Sequence, residues 1–241
     1  MKAFILAAGK GERLRPLTDT IPKCLLSIQG VPILGIWLEL CRRHGIDEIL
    51  VNTHSHADSV KAYLHPNRQD VRLRIAEEET LLGSAGTVLT NRFWIGSDRE
   101  FWIFYGDVLT NTNLLAMFEF HRRSNQVVTL GVKRVADPRQ CGIVTVDRAG
   151  VIQEFVEKPA NPSSDLAFSG VLLATSAIFD VIPRRTPADI GFDVLPKLVG
   201  RMAAYSISDY LVDIGTPASY RYAQDTWPGF AASSVVARSA C

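Results

Sequence analysis

The chain has 241 residues, of which 47% are hydrophobic and 21% charged, and its formal net charge is +1 at pH 7. This composition supplies a sizeable core for one large domain, and the near-zero charge excludes a global attraction to nucleic acid or anionic lipid. Four scattered cysteines without a CxxC pair favour reduced thiols over a disulfide framework or a zinc site. Since no segment has the ~20 apolar residues that span a bilayer, and none reads as a signal peptide, we expect a cytoplasmic protein.

Short apolar runs alternate with helical spacings through the first half of the chain. The apolar run 3–8 predicts a strand buried on both faces, and the spacing in 32–44 predicts a helix closed by Gly45. Further strands are predicted at 48–53, 71–76 and 101–105, and further helices at 56–64, 84–93 and 113–123. This alternation indicates βαβ units and a mostly parallel sheet with helices on both faces.

The pattern changes at about residue 126. Strands separated by turns are predicted at 127–135, 142–146, 151–156 and 167–174, then a helix at 192–201 and a strand at 210–214. The fold class is therefore α/β, with a mixed, mainly parallel central sheet and a smaller antiparallel extension. We expect one domain over residues 1–226 and a loosely ordered C-terminal tail over 227–241, because the tail is small, polar and aperiodic.

A glycine-rich loop with basic residues follows the first strand. Gly9 and Gly11 lack the Cβ that would keep the backbone from a polyphosphate, and an arginine fork donates paired hydrogen bonds to phosphate oxygens. A bare GxG would equally fit a simple strand-to-loop turn. The spacing is neither GxxxxGK[ST] nor GxGxxG, since Leu14 stands where a third glycine would be. The longer run from Leu6 to Thr18 is more specific, and its basic residues, with the Pro22-Lys23 that follows, are Arg13, Arg15 and Lys23.

This run resembles the signature of the sugar-phosphate nucleotidyltransferase family, usually written GxGxRLxPLT…PK. The sequence is most similar to the short mannose-1-phosphate and heptose-1-phosphate guanylyltransferases, and the resemblance extends to about Ala223. It implies a Rossmann-like three-layer α/β/α fold, Mg²⁺ as cofactor, and transfer of a nucleotidyl group from an NTP to a sugar 1-phosphate. It also implies catalytic roles for Arg15 and Lys23. The nucleotide-binding residues of this segment would be Leu6, Ala7, Ala8, Gly9, Gly11 and Arg13.

Two aspartates at predicted strand ends match the metal ligands of that family. Asp107 follows the strand 101–105, and Asp213 lies in the strand 210–214 just before a glycine turn. Ligands of α/β proteins bind at the carboxyl ends of strands, and Mg²⁺ takes one or two carboxylates plus phosphate oxygens. A Gly-Asp pair by itself is more often a turn, so the metal-binding prediction depends on the resemblance.

The run 155–159 brings Glu157 and Lys158 to the end of an apolar strand. Such a pair before a proline is common on surfaces, but the resemblance implies that Lys158 contacts the phosphate of a sugar 1-phosphate and Glu157 a sugar hydroxyl. Many mannose enzymes have Asn-Ala-Gly where this chain has Phe168-Ser169-Gly170. Ser169 cannot offer the paired donor and acceptor of an amide, which leaves the identity of the sugar open. The sugar-phosphate site predicted in this way consists of Gly142, Glu157, Lys158, Ser169 and Gly170, with Lys158 also catalytic.

An acidic segment, 77–79, precedes Gly83 and Ser84, and the resemblance places it beside the base and ribose. Glu78 is the base-reading candidate, because a carboxylate can accept both N1–H and N2–H of guanine whereas uracil offers one such donor. The prediction is therefore GTP with a mannose- or heptose-type sugar 1-phosphate.

Three alternatives stay open. The first is a uridylyl- or thymidylyltransferase acting on N-acetylmuramate, N-acetylglucosamine or glucose 1-phosphate. The second is an inactive regulatory relative, which would have lost one of the basic or acidic site residues. The third is a glycosyltransferase, which would normally show an Asp-x-Asp motif where this chain has Asp107-Val108-Leu109. A homodimer is compatible with the resemblance.

Overall fold

The computed structural model describes residues 1–65 and 71–230. Its strands are, in chain order, β1 (Lys2–Leu6), β2 (Ser27–Ile28), β3 (Val31–Pro32), β4 (Glu48–Thr53), β5 (Arg72–Glu77), β6 (Glu100–Tyr105), β7 (Val108–Thr110), β8 (Val128–Arg134), β9 (Gly142–Val146), β10 (Ile152–Glu157), β11 (Leu166–Thr175), β12 (Met202–Ser206) and β13 (Leu211–Asp213). Its α-helices are α1 (Ile33–Arg43), α2 (Ala57–Leu64), α3 (Ser84–Thr90), α4 (Arg92–Ile95), α5 (Leu114–Ser124) and α6 (Pro217–Thr226). Short helical turns of 3₁₀ or π type cover Glu12–Leu14, Lys23–Leu25, Pro138–Gln140, Ser176–Asp180, Ile190–Val194 and Leu195–Leu198.

Four parallel strands form one half of the main sheet, in the order β5-β4-β1-β6. The central strand β1 is buried on both faces: Ala3 and Ile5 belong to the core on one side, and Phe4 to the core on the other. Helices therefore cover both faces, with α1 and α5 on the first and α3 and α4 on the second. The chain runs from β1 to β4 and β5 on one side and returns to β6 on the other, so a crevice is expected at the carboxyl ends of β1 and β6.

The second half of the sheet is largely antiparallel. Strand β11 pairs antiparallel with β6, β8 and β9, and β9 pairs antiparallel with β10. The predicted α/β class with a mixed sheet and an antiparallel extension is confirmed. Several elements escaped the sequence analysis. They include the short strands β2, β3 and β7 and strand β12, which is made mostly of small residues and pairs in parallel with β8. Helix α6, which begins with a capping box between Thr216 and Ser219, was also not predicted.

The helix predicted at 192–201 is wrong in type and extent. The structure has a π turn over Ile190–Val194 followed by a 3₁₀ turn over Leu195–Leu198. Pro196 lies at the start of the 3₁₀ turn, and because proline has no backbone N–H it cannot take part in a regular α-helical ladder there.

The chain packs against the fold as far as Phe230, beyond the boundary predicted at residue 227. Trp227 is buried, and its ring lies edge-on to those of Tyr210, at 5.2 Å, and Phe230, at 5.6 Å. Large aromatic side chains bury enough area to hold a terminal segment in place. The rest of the predicted tail, residues 231–241, lies outside the described residues, as does Cys241. Among the residues described, Cys24, Cys41 and Cys141 are free thiols, and no helix is long and apolar enough to cross a membrane.

A buried histidine links the stability of this fold to pH. His121 of α5 is buried, its Nδ1 lies 2.8 Å from Thr129 Oγ1, and burial, aided by the charge of Arg122, lowers its pKa from 6.5 to about 4. The unfolded chain therefore takes up this proton at a higher pH than the folded chain. The stabilising contribution is complete above the unfolded pKa and is lost as the pH falls from 6.5 towards about 4.

We expect acidification to about pH 5 to lower the free energy of unfolding by about 2 kcal/mol through His121. Urea unfolding at a series of pH values measures this slope. A His121→Gln variant, whose side chain does not titrate, should be less stable at neutral pH but should lose that part of the slope. An unchanged slope in the variant would contradict the assignment.

Candidate active site

Two adjoining cavities open at the carboxyl edge of the parallel strands. The first has a volume of about 270 Å³ and the second about 390 Å³, and Tyr105 and Asp107 line both. The first cavity contains these predicted residues in its wall: Leu6, Ala7, Ala8, Gly9, Lys23, Glu78, Gly83 and Ser84. The second contains Arg13, Gly142, Glu157, Lys158, Ser169, Gly170 and Asp213. The structure thus brings together most of the predicted site. Of the predicted residues, Gly11 and Arg15 lie in neither cavity wall.

Glycine suits the two positions of the loop, Gly9 and Gly11, for different physical reasons. Gly11 has φ +67°, and a Cβ added there would lie 2.9 Å from Thr18 Cγ2. Its carbonyl accepts a hydrogen bond of 2.8 Å from Thr18 Oγ1. A Cβ added at Gly9 would meet no atom within 4 Å, although Gly9 lies in the wall of the first cavity. Gly11 is therefore required by the turn itself, whereas the fold leaves the space beside Gly9 open to a ligand.

We expect Gly9→Ala and Gly11→Ala to separate binding from stability. Gly9→Ala should keep the thermal stability of the native chain but weaken NTP binding about tenfold or more, because its methyl group occupies space that a bound ligand would need. Gly11→Ala should lower the unfolding free energy by about 1–3 kcal/mol, the cost of holding alanine in a left-handed conformation. Calorimetric titration with a non-hydrolysable NTP and thermal unfolding check both. Equal losses of stability in the two variants would contradict this division.

The structure places Arg13 in the site and Arg15 outside it. Arg13 lines the second cavity beside Asp213. Its Nη2 lies 3.0 Å from the position of a Cβ added at Gly215, so this glycine leaves room for the guanidinium. Arg15 is exposed, and its Nε pairs with Asp19 Oδ1 at 3.2 Å. Leu14 between them is buried and orients the turn, so the two arginines are directed to different places.

Lys23 and the two aspartates meet at the junction of the cavities. Lys23 Nζ donates a hydrogen bond of 2.6 Å to Asp107 Oδ2, and the lysine side chain is only 10% exposed. Asp107 follows β6, and its carbonyl accepts from the N–H of Ile214 at 2.9 Å. The small β7–β13 ladder places Asp213 opposite Val108. A separate two-stranded sheet therefore carries the second carboxylate to the first across more than 100 residues of chain.

The two carboxylates fit a divalent cation. Burial raises the pKa of Asp213 and the charge of Asp107 raises it further, while the cations of Lys23 and Arg13 oppose the shift. A bound cation would favour the charged form of Asp213, because an opposite charge offsets the repulsion from Asp107. In the described ranges no three or more His, Cys, Asp or Glu side chains form a metal cluster. Any Mg²⁺ held here would take its other ligands from phosphate oxygens and water, as this ion commonly does.

The sugar-phosphate residues predicted from sequence converge in the second cavity. Lys158 adopts φ +50°, its N–H donates to the Cys141 carbonyl at 2.9 Å, and its Nζ lies 3.9 Å from Glu157 Oε1. Glu157 is largely buried, which raises its pKa, while the charge of Lys158 lowers it. A Cβ added at Gly142 would lie 2.7 Å from Glu157 Oε2. The Phe155 ring lies closer still, at 2.6 Å, so the space beside Gly142 is filled by this ring and the Glu157 carboxylate.

Glu78 is held by the protein on both oxygens. Its Oε1 accepts hydrogen bonds from Asn52 Nδ2 at 2.8 Å and Thr87 Oγ1 at 2.5 Å, and its Oε2 accepts from the N–H of Leu82 at 3.0 Å. Asn52 Oδ1 in turn accepts from the N–H of Ala7 at 2.7 Å. Oε1 has no lone pair left for a base. Only Oε2 is therefore left to accept a hydrogen bond from a base, and Glu78 also ties the loop after β1 to the wall formed by 78–87.

A bridge between the two cavity walls was missed in the sequence. Ser84 Oγ donates to Asp189 Oδ2 at 2.8 Å and accepts from the N–H of Ile190 at 2.7 Å. Asp189 lines the second cavity and Ser84 the first. The aspartate also accepts from the N–H of Phe192 at 3.0 Å, which is the N-cap pattern of an acidic residue before a helical turn. That pattern could have identified Asp189 as a turn start, but not as a wall of the site.

The fold and the cavities define an α/β protein with a glycine-rich loop and two acidic side chains at the topological switch point of its sheet. The chain belongs to the nucleotidyl transferase family, because the profile of that family matches residues 2–227. The resemblance found in the glycine-rich run and the later motifs is thereby confirmed.

Curated relatives cover most of this chain. A UTP–glucose-1-phosphate uridylyltransferase of Synechocystis sp. is 34% identical over an alignment of 241 positions. The alignment covers 91% of this chain and 61% of the relative. A mannose-1-phosphate guanylyltransferase of Mycobacterium tuberculosis is 30% identical over 223 residues, covering 90% of this chain and 62% of the relative. This chain thus spans about three fifths of the length of these relatives. A solved UDP-glucose pyrophosphorylase with bound UDP-glucose shares the fold, with a TM-score of 0.82 at 22% identity over 94% of this chain and 97% of that chain.

Proposed function

We propose that the chain transfers a nucleotidyl group from an NTP to a sugar 1-phosphate and releases pyrophosphate. The observation that carries the proposal is the junction of two cavities at Asp107, where Lys23 from the glycine-rich segment meets acidic groups of both walls. A two-substrate transfer needs two adjoining pockets whose contents meet at the reacting atoms. The curated relatives named after this kind of reaction point the same way.

In the proposed reaction, a phosphate oxygen of the sugar 1-phosphate attacks the α-phosphorus of the NTP in line with the leaving pyrophosphate. A phosphate monoester is already a nucleophile near neutral pH, so the protein needs to supply position and charge rather than a general base. Lys23 neutralises the charge that builds at the α-phosphate. Arg13, rather than Arg15 for which the resemblance implied a catalytic role, takes the β- and γ-phosphates, and Lys158 holds the phosphate of the sugar.

Asp107 and Asp213 are the residues that would hold Mg²⁺. When bound, the cation supplies positive charge to the phosphate oxygens of both substrates. The ion pair between Lys23 and Asp107 leaves Oδ1 of the aspartate for that purpose, because Lys23 Nζ contacts Oδ2.

We propose GTP as the preferred nucleotide, with Glu78 Oε2 accepting one hydrogen bond from the guanine edge. One observation favours UTP as a second candidate: Oε1 of Glu78 accepts two internal hydrogen bonds, and uracil offers a single donor at N3. The proposed sugar 1-phosphate is of mannose or heptose type. The alternative substrates are the 1-phosphates of glucose and its N-acetylated derivatives. The reason is Ser169, which is buried at the second cavity.

Pyrophosphate release measured with four NTPs, Mg²⁺ and a panel of sugar 1-phosphates tests this proposal. We expect turnover with at least one pair, highest with GTP, and its loss when EDTA removes the metal. Highest turnover with UTP would support the second candidate. Absence of pyrophosphate from every pair would contradict the proposed reaction.

A further inference from the structure

An exposed aromatic ring stands at the second cavity. Phe192, in the π turn Ile190–Val194, is 59% exposed and lines the second cavity. Among the exposed large hydrophobic side chains in the described part of the chain, only Phe192 lies in the wall of a cavity. An apolar ring kept in water at the wall of a pocket that also contains charged groups is a feature of binding sites rather than of the core.

The backbone beneath this ring is fixed from two sides. The N–H of Phe192 donates to Asp189 Oδ1 at 3.0 Å, and the other oxygen of that carboxylate accepts from Ser84 Oγ at 2.8 Å. The N–H of Asp189 donates to Asp193 Oδ2 at 2.8 Å, and this second carboxylate pairs with Arg185. The ring therefore projects from an anchored turn, and a ligand that packs on it does not have to order a loop.

The groups around the ring match the parts of one ligand. Lys158 Nζ lies 5.8 Å from the centroid of the Phe192 ring, and this lysine holds the sugar phosphate in the proposed function. In a sugar 1-phosphate the phosphate is attached directly to the anomeric carbon, so the sugar ring lies next to whatever binds the phosphate. Glu157 and Asp189, both in the same wall, offer carboxylate oxygens that accept hydrogen bonds from hydroxyl groups.

We infer that Phe192 is a stacking platform for the sugar ring of the sugar 1-phosphate. The C–H groups on one face of a pyranose carry partial positive charge and pack on the negative face of an aromatic ring, while the hydroxyls at the edge turn to Glu157 and Asp189. The inference rests on the proposed function, because Lys158 locates the phosphate. It assigns Phe192 to affinity and selectivity for the sugar, with no part in the chemistry at phosphorus.

Binding measured separately from turnover tests the platform. Saturation-transfer NMR and calorimetry follow sugar 1-phosphate binding in the presence of Mg²⁺ and a non-hydrolysable GTP or UTP analogue. We expect Phe192→Ala to weaken this binding about five- to tenfold, the usual worth of one aromatic contact, with unchanged affinity for the nucleotide analogue. Phe192→Trp should restore binding, because it keeps an aromatic face. The matched control is Phe93→Ala, which removes a ring that is 80% exposed but lies outside both cavity walls.

The outcomes separate the inference from the proposed function. Equal sugar 1-phosphate affinity in the native chain and Phe192→Ala would overturn the platform, even if pyrophosphate is released normally. Weakened binding in Phe192→Ala with rescue by Phe192→Trp supports it, even if another reaction consumes the ligand. A native chain that binds no sugar 1-phosphate overturns both.

Discussion

Replacing Arg13 with alanine is expected to lower kcat/KM for the NTP by about 10²–10³-fold, the effect of removing one preorganised electrostatic contact at a reacting centre. Arg13 lies in the wall of the second cavity with Asp107 and Asp213. Its planar fork suits the paired oxygens of a polyphosphate. Because these phosphates are charged before and during the reaction, both KM for the NTP and kcat should change. Steady-state pyrophosphate release with varied NTP measures the two parameters.

Arg15→Ala is the matched control, two residues away in the same loop. Its partner is Asp19, both side chains are more than half exposed, and an exposed ion pair contributes about 0–1 kcal/mol to stability. We expect kcat/KM within about twofold of the native value, since removing a solvated charge outside the site costs little. A large loss in Arg15→Ala with a small one in Arg13→Ala would restore the prediction made from the sequence and overturn the structural assignment.

Replacing Lys23 with alanine is expected to reduce kcat by about 10²–10³-fold, because no other side chain is proposed to neutralise the charge at the α-phosphate. The lysine is nine-tenths buried, so its position is fixed before any ligand binds, and its Nζ contacts Asp107 Oδ2 at 2.6 Å. Folding should survive the change, because Asp107 is 35% exposed and can be solvated when its partner is removed.

Two comparisons make the Lys23 result interpretable. Lys197→Ala removes an exposed lysine that donates to the Val181 carbonyl and should leave the rate unchanged. Thermal unfolding of Lys23→Ala shows whether the fold persists. Near-native turnover in a folded Lys23→Ala protein, with Mg²⁺ and the preferred NTP, would rule out the proposed role.

Local patterns predicted much of this molecule. The buried run of β1, the helical spacing of α1 and the alternation that follows depend on residues close in sequence, and their bounds agree with the structure to within one or two residues in most elements. Signals that depend on few residues were weaker. The capping box of α6 and the short strand β12 were overlooked, and Pro196 altered a predicted helix that otherwise had a suitable spacing.

The candidate site was predicted as a set of residues but not as an arrangement. Glu78 was chosen for its charge, yet its Oε1 is occupied by Asn52 and Thr87, which come from two other elements. Ser84 and Asp189 join the walls across 105 positions, a pairing that no local spacing indicates. Phe192 was assigned to a helix because its segment has a helical spacing. Its exposure at the second cavity follows from the turn in which the structure places it.

By itself the sequence determined the α/β class, the glycine-rich loop after β1 and the family, because glycine placement, strand and helix periods and motif order are encoded along the chain. Only the tertiary structure decided that Arg13 rather than Arg15 reaches the site, and that Asp213 comes beside Asp107. Both follow from side-chain direction and from long-range strand pairing: Leu14 is buried between the two arginines, and the β7–β13 ladder carries one aspartate to the other. Spacing fixes which residue types are available, whereas packing fixes which of them meet.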